Sequence, residues 1–166
     1  MQFGSVLESR YLRYGLWVLV FVAGLGVAWG TRPVQVRHLQ LMTLNGESLS
    51  IPNQQLTWVN FWSVSCASCM TELPLLEKMA QEYQGRVAVV GVAAAYDPPN
   101  AIVETKERLA LTMPLALDLN RVAARSFPNN DVVPTHYLVN EKGHILLSLR
   151  GEVSEKTMRD ALKQHL

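Results

Sequence analysis

Apolar residues fall along the chain in three patterns: one long uninterrupted run, several short runs of four to eight residues, and stretches that repeat at helical spacing. The long run comes first. Eighteen uncharged residues, Tyr14 to Thr31, separate Arg13 from Arg32. A helix of that length spans about 27 Å, close to a bilayer core of about 30 Å, and Trp17 and Trp29 near its ends suit the two interfaces. The run predicts a transmembrane signal-anchor over 14–31, with 1–13 before it, a short linker at 32–35 and a globular body over 36–166. A cleaved export signal competes, since Arg10 and Arg13 form a basic start and Ala28-Trp29-Gly30 offers small residues for cleavage, but the run is long for such a signal.

Beyond the linker, strand-like and helix-like patterns alternate, as an α/β domain requires. Val36 to Leu44 and Ser48 to Ile51 flank Asn45-Gly46, a tight-turn signal, and predict an N-terminal β-hairpin. Leu56 to Trp62 and Val87 to Ala93 read as buried strands. Between them Leu73, Leu75, Leu76, Met79 and Ala80 recur at helical spacing, placing a helix over Cys69 to Tyr83 and making a parallel βαβ unit. Pro98 and Pro99 open a helix through about Leu109. Pro114 to Leu117 reads as a short strand and Arg121 to Phe127 as a helix. Thr135 to Val139 and Ile145 to Arg150 form a hairpin across Asn140-Glu141-Lys142-Gly143. Ser154 caps a last helix with Met158, Ala161 and Leu162 on its apolar side. The expected sheet is mixed, with helices on both faces.

From Thr31 onward, thirteen basic residues balance thirteen acidic ones. That balance argues against a nucleic-acid partner. About 135 residues are enough for one domain with a proper core.

The two cysteines of the chain are Cys66 and Cys69. They follow a buried strand and stand at the start of a helix, where unpaired N–H groups and the helix dipole favour a thiolate. Cys66, on the solvent side, is the expected nucleophile. Cys69, one turn in, is placed to attack a mixed disulfide and release the reduced partner. A purely structural disulfide gains little from so short a loop, and a structural zinc site needs four ligands that the spacing does not supply. The redox-active pair is therefore the expected chemistry, with no metal and no other cofactor.

The segment Val59-Asn60-Phe61-Trp62-Ser63-Val64-Ser65-Cys66-Ala67-Ser68-Cys69, followed by Glu72, Pro74 and the later Val133-Pro134-Thr135, resembles the thioredoxin superfamily. Within it, the closest likeness is to the membrane-anchored TlpA/ResA/DsbE branch, over roughly residues 36–166. The resemblance implies a thioredoxin-like fold and thiol–disulfide oxidoreductase activity. It implies a cis bond before Pro134 and substrate docking by Trp62, Val133, Pro134 and Thr135. It also implies that Glu72 accepts a proton. The anchor would then sit in a bacterial inner membrane, with a cytoplasmic N-terminus and the catalytic domain in the periplasm. Electrons would come from a membrane thiol-electron transporter and pass to disulfide-containing exported proteins, in cytochrome c maturation for example.

Three positions depart from the family pattern. Ser65 stands where Trp is usual and should leave Cys66 open. Ala67-Ser68 replaces a dipeptide often containing proline and brings a hydroxyl near the sulfur. Asn60 stands where minimal thioredoxins bury an aspartate, leaving Glu72 as the candidate acid. Two other functions compete. His136, two residues past Pro134, can complete a copper site with the thiols, as in a Sco-like copper chaperone, although Sco proteins space their cysteines by three residues. A peroxiredoxin-like peroxidase shares the fold, but surrounds its reactive cysteine with Thr and Arg and keeps the resolving cysteine more distant. His38, His144 and His165 read as surface or loop residues.

Overall fold

The computed structural model describes residues 14–21 and 34–166, and the chain divides into a unit through Pro33 and a unit from Val34 to Leu166. Residues 14–21 are helical (α1) and exposed. The segment 1–13, residues 22–31 of the expected anchor 14–31 and residues 32–33 of the linker 32–35 lie outside the described residues. Among those described, no helix is long and apolar enough to cross a membrane.

The second unit is built on one seven-stranded sheet. Its elements are β1 (Leu39–Thr43), β2 (Ser48–Ile51), β3 (Leu56–Trp62), α2 (Ala67–Glu82), β4 (Val87–Ala93), α3 (Pro99–Arg108), β5 (Leu115–Leu117), α4 (Val122–Ser126), β6 (Thr135–Val139), β7 (Ile145–Arg150) and α5 (Glu155–His165). The strand order is β2-β1-β5-β4-β3-β6-β7. β3, β4 and β5 run parallel, while β6 and β7 on one side and β1 and β2 on the other are antiparallel. The sheet is mixed, as the alternating pattern predicts. The hairpin does more than precede the core: β1 pairs with β5 and extends the sheet.

Period-two alternation sorts the strands into two cores. Trp58 and Trp62 of β3 and Leu138 of β6 face Leu73, Leu76 and Met79 of α2, Ile102 of α3, and Met158 and Leu162 of α5. Val59, Phe61, Tyr137 and Val139 face the opposite way, against Ala123 of α4, Phe127 and the hairpin residues Leu39, Leu41 and Ile51. Helices thus cover both faces. Gly91, at the centre of β4, makes room for the buried Trp62: a Cβ there would lie 2.7 Å from Leu115 Cδ2 and 3.0 Å from the indole nitrogen.

One buried carboxylate ties α2 to the loop that leads from α3 into β5. Glu77 accepts the N–H groups of Thr112 and Met113, each at 2.8 Å, the Thr112 hydroxyl and the Gln81 amide. Burial pushes its carboxyl up, but the Thr112 hydroxyl, the two N–H groups and Gln81 together outweigh this and hold it below the ordinary glutamate value. A carboxyl lowered on folding stabilises the fold fully above its unfolded value, and that contribution is lost as the pH falls through the lower folded value. Glu77→Gln is expected to cost about 1–2 kcal/mol at neutral pH. The difference from wild type should shrink in strong acid, as read by urea melts at the two pH values.

Candidate active site

β3 ends at the floor of the site, and the chain turns through Ser63-Val64-Ser65 before α2 begins. The helix starts at Ala67, two residues earlier than its apolar periodicity indicates, because Cys66 itself is the N-cap: its sulfur accepts the N–H of Cys69 at 3.2 Å. The Ser68 hydroxyl lies 3.4 Å from the same sulfur. Cys66 is half-buried, Cys69 is 1% exposed, and the two form a disulfide. The N-cap position gives Cys66 a helix N–H and a hydroxyl, the donors a thiolate there would use. Ser65, in the place of the usual Trp, is exposed and leaves the sulfur uncovered.

The turn before Cys66 is held by a residue that no local sequence signal singles out. Asp97, in the β4–α3 loop and buried, accepts the Ser63 hydroxyl at 2.8 Å and the Val64 N–H at 2.9 Å. Ser63 in turn accepts the Ser65 N–H at 3.2 Å, and its carbonyl accepts the Cys66 N–H at 3.1 Å. Asp97 precedes Pro98-Pro99, so its position in the sequence reads only as helix-opening punctuation.

Beneath Cys69 lies a second polar cluster. Glu72, three residues on and therefore on the same helix face, is 1% exposed and accepts the N–H of Val153 through Oε1. Its Oε2 stands 3.2 Å from His136 Nε2. Those two atoms are out of line for a hydrogen bond, and both are buried without another partner. His136, also 1% exposed, directs Nδ1 at Trp58 Nε1 (3.3 Å) and at Asn60 Nδ2 (3.2 Å). Strand register explains the last contact, because Asn60 and His136 are cross-strand neighbours. The copper alternative needs His136 turned to the sulfurs; its nitrogens are directed instead at β3 and Glu72.

The Val133–Pro134 bond is cis. Pro134 is buried with its carbonyl accepting from Gly151, and Val133 is half-buried. Among the described residues Val133 makes no backbone hydrogen bond with its own N–H or C=O. Beside it opens a cleft of about 370 Å³ whose wall includes Tyr96, Leu119, Arg121 and Val132, with Tyr96 69% exposed. Two of the expected docking residues lie elsewhere. Trp62 is fully buried in the core, since β3 is covered on both faces. Thr135 is fully buried as well, its hydroxyl donated to the Val132 carbonyl at 2.7 Å, so it shapes the loop from behind.

The AhpC/TSA family model matches residues 35–148. The thioredoxin-like protein YneN of Bacillus subtilis is 30% identical over 132 residues, 77% of this chain and 76% of that one. The thiol-disulfide oxidoreductase ResA of Halalkalibacterium halodurans is 26% identical over 133 residues, 78% and 74% of the two chains. The crystal structure of StoA from Bacillus subtilis superimposes with a TM-score of 0.69 at 25% identity, covering 77% of this chain and 98% of StoA.

Proposed function

The chain belongs to the AhpC/TSA family and is a thiol–disulfide oxidoreductase of thioredoxin fold; on that premise we propose that it is a membrane-anchored reductant of exported proteins, working from the periplasmic face of a bacterial inner membrane. The carrying observation is the half-buried Cys66 sulfur at the N-cap of α2, supplied with a helix N–H and a hydroxyl and bonded to the buried Cys69. In the reduced protein, the Cys66 thiolate attacks a substrate disulfide, forming a mixed disulfide and expelling one substrate thiolate. Cys69 then gives up its proton to Glu72 and attacks Cys66. The second substrate sulfur leaves as a thiolate, and the Cys66–Cys69 disulfide of this structure is the product. No bound cofactor is needed.

Glu72 is suited to its part because Oε1 is committed to Val153 while Oε2 is left without a hydrogen bond. The unpaired backbone of Val133 suits an extended substrate segment, and the adjoining cleft can receive a side chain next to the substrate half-cystine. The partners of Cys66 are Ser68 and Cys69 rather than a threonine and an arginine, which favours exchange over peroxide reduction. The apolar run at 14–31 supports the anchor. A dithiol membrane transporter would return two electrons per cycle, and apocytochromes are among the substrates such a reductant would serve. The reading is tested by equilibrating the full-length chain against defined thiol buffers. A reductant is expected near about −270 mV, whereas a value near about −120 mV would make the protein a disulfide donor and overturn the proposed direction.

A further inference from the structure

The indole N–H of Trp58 can only donate, and it points at His136 Nδ1 from 3.3 Å. The ring nitrogen that receives it therefore carries no proton. The Asn60 amide nitrogen, 3.2 Å from the same atom, adds a second donor in the same sense. A neutral imidazole with a bare Nδ1 carries its proton on Nε2, the nitrogen 3.2 Å from Glu72 Oε2. An imidazolium would set an Nδ1–H against the Trp58 N–H at a site 1% exposed, two donors facing one another away from water.

Glu72 and His136 each present one buried polar atom that no other group among the described residues satisfies, and the two atoms face one another. We propose that His136 is a positioning residue for Glu72: an Nε2–H, fixed in its tautomer by Trp58 and Asn60, that faces Glu72 Oε2 from 3.2 Å without lining up for a hydrogen bond and, through the positive end of its N–H dipole, steadies the carboxylate that takes the Cys69 proton. The inference rests on Glu72 being that acceptor. Cys69 shares the α2 face with Glu72, Trp58 and Asn60 are neutral and come from β3, and α5 contributes the apolar Met158 and Leu162 to this core. Glu72, His136 and Cys69 are thus the titrating groups of the cluster among the described residues. A donor to the charged form of a carboxyl makes that form easier to reach. Removing the N–H takes that support from the carboxylate as a proton acceptor.

The reduced full-length chain, mixed with excess dithiobis(nitrobenzoate), should release two coloured thiolates in succession. The first leaves as Cys66 forms the mixed disulfide. The second leaves as Cys69, its proton passed to Glu72, closes the Cys66–Cys69 bond. The pH profile of that second release is the readout. His136→Leu is expected to move its midpoint up by roughly one pH unit, and His136→Gln, which keeps a neutral N–H donor, to restore much of the shift. Glu72→Gln should move the profile further, and adding His136→Leu to it should change nothing more.

A His136→Leu profile that overlays wild type overturns the inference, as does an equal shift in the Glu72→Gln background. A profile unmoved by Glu72→Gln removes Glu72 from the mechanism, and this inference with it. Nitrogen NMR of wild-type His136 needs no variant: a protonated Nε2 with a bare Nδ1 across neutral pH is expected, and an imidazolium or an Nδ1–H ring overturns the assignment.

Discussion

The full-length chain with Cys66 replaced by serine is expected to lose disulfide exchange by on the order of a thousandfold or more, as when a nucleophile is removed from other enzymes. Cys69→Ser should behave differently, retaining the first attack and accumulating a mixed disulfide that a non-reducing gel reveals. The asymmetry follows from burial. Cys66 is half-buried at an uncovered N-cap, whereas Cys69 is 1% exposed within the core formed by α2, α3 and α5, out of a substrate's reach. If Cys69→Ser abolished the first attack while Cys66→Ser formed the trapped adduct, the order of the two sulfurs would be reversed.

Asp97→Ala is expected to destabilise the folded protein by about 2–3 kcal/mol, because it takes the shared carboxylate from a buried hydroxyl, which keeps only the Ser65 hydroxyl at 3.0 Å, and from a backbone N–H. For a chain of this size that corresponds to a fall in Tm of about 4–12 °C. The loss should extend to reactivity. Ser63, held by Asp97, accepts the Ser65 N–H, and its carbonyl accepts the Cys66 N–H, so the carboxylate fixes the turn that delivers Cys66 to the helix start. Asp97→Asn keeps one acceptor but turns an NH₂ toward the other donor, and should fall between the two. Thermal melts together with the alkylation rate of Cys66 check this. A variant as stable and as reactive as wild type would show that the turn holds itself.

Much of this architecture is legible in the chain because burial and local geometry speak through residue type. The largely apolar run of β3, the unbroken one of β4, the Asn45-Gly46 turn and the CxxC ahead of a helical period each follow from short-range patterns. What the pattern hides depends on long-range neighbours. Trp62 looks like a docking surface beside the cysteines, but its strand is covered on both faces. His136 looks like a third ligand for the thiols, but register places it opposite Asn60 and packing sets Glu72 at its other nitrogen. Asp97 lies 33 residues from the Val64 it holds, and no local pattern announces such a partner. The first turn of α2 is missed for a different reason: a sulfur, not an oxygen, is its cap.

The bond from Val153 to Glu72 crosses 81 residues of sequence. At synthesis rates of about 5–20 residues per second, roughly 4–16 s separate the making of Glu72 from that of its donor. During that interval the growing chain already carries both thiols but lacks first the strand with its buried histidine and then the closing loop that give the carboxylate its surroundings. With Glu72 as the proposed proton acceptor, competence for rapid resolution comes with completion of the domain, well after both cysteines have been made.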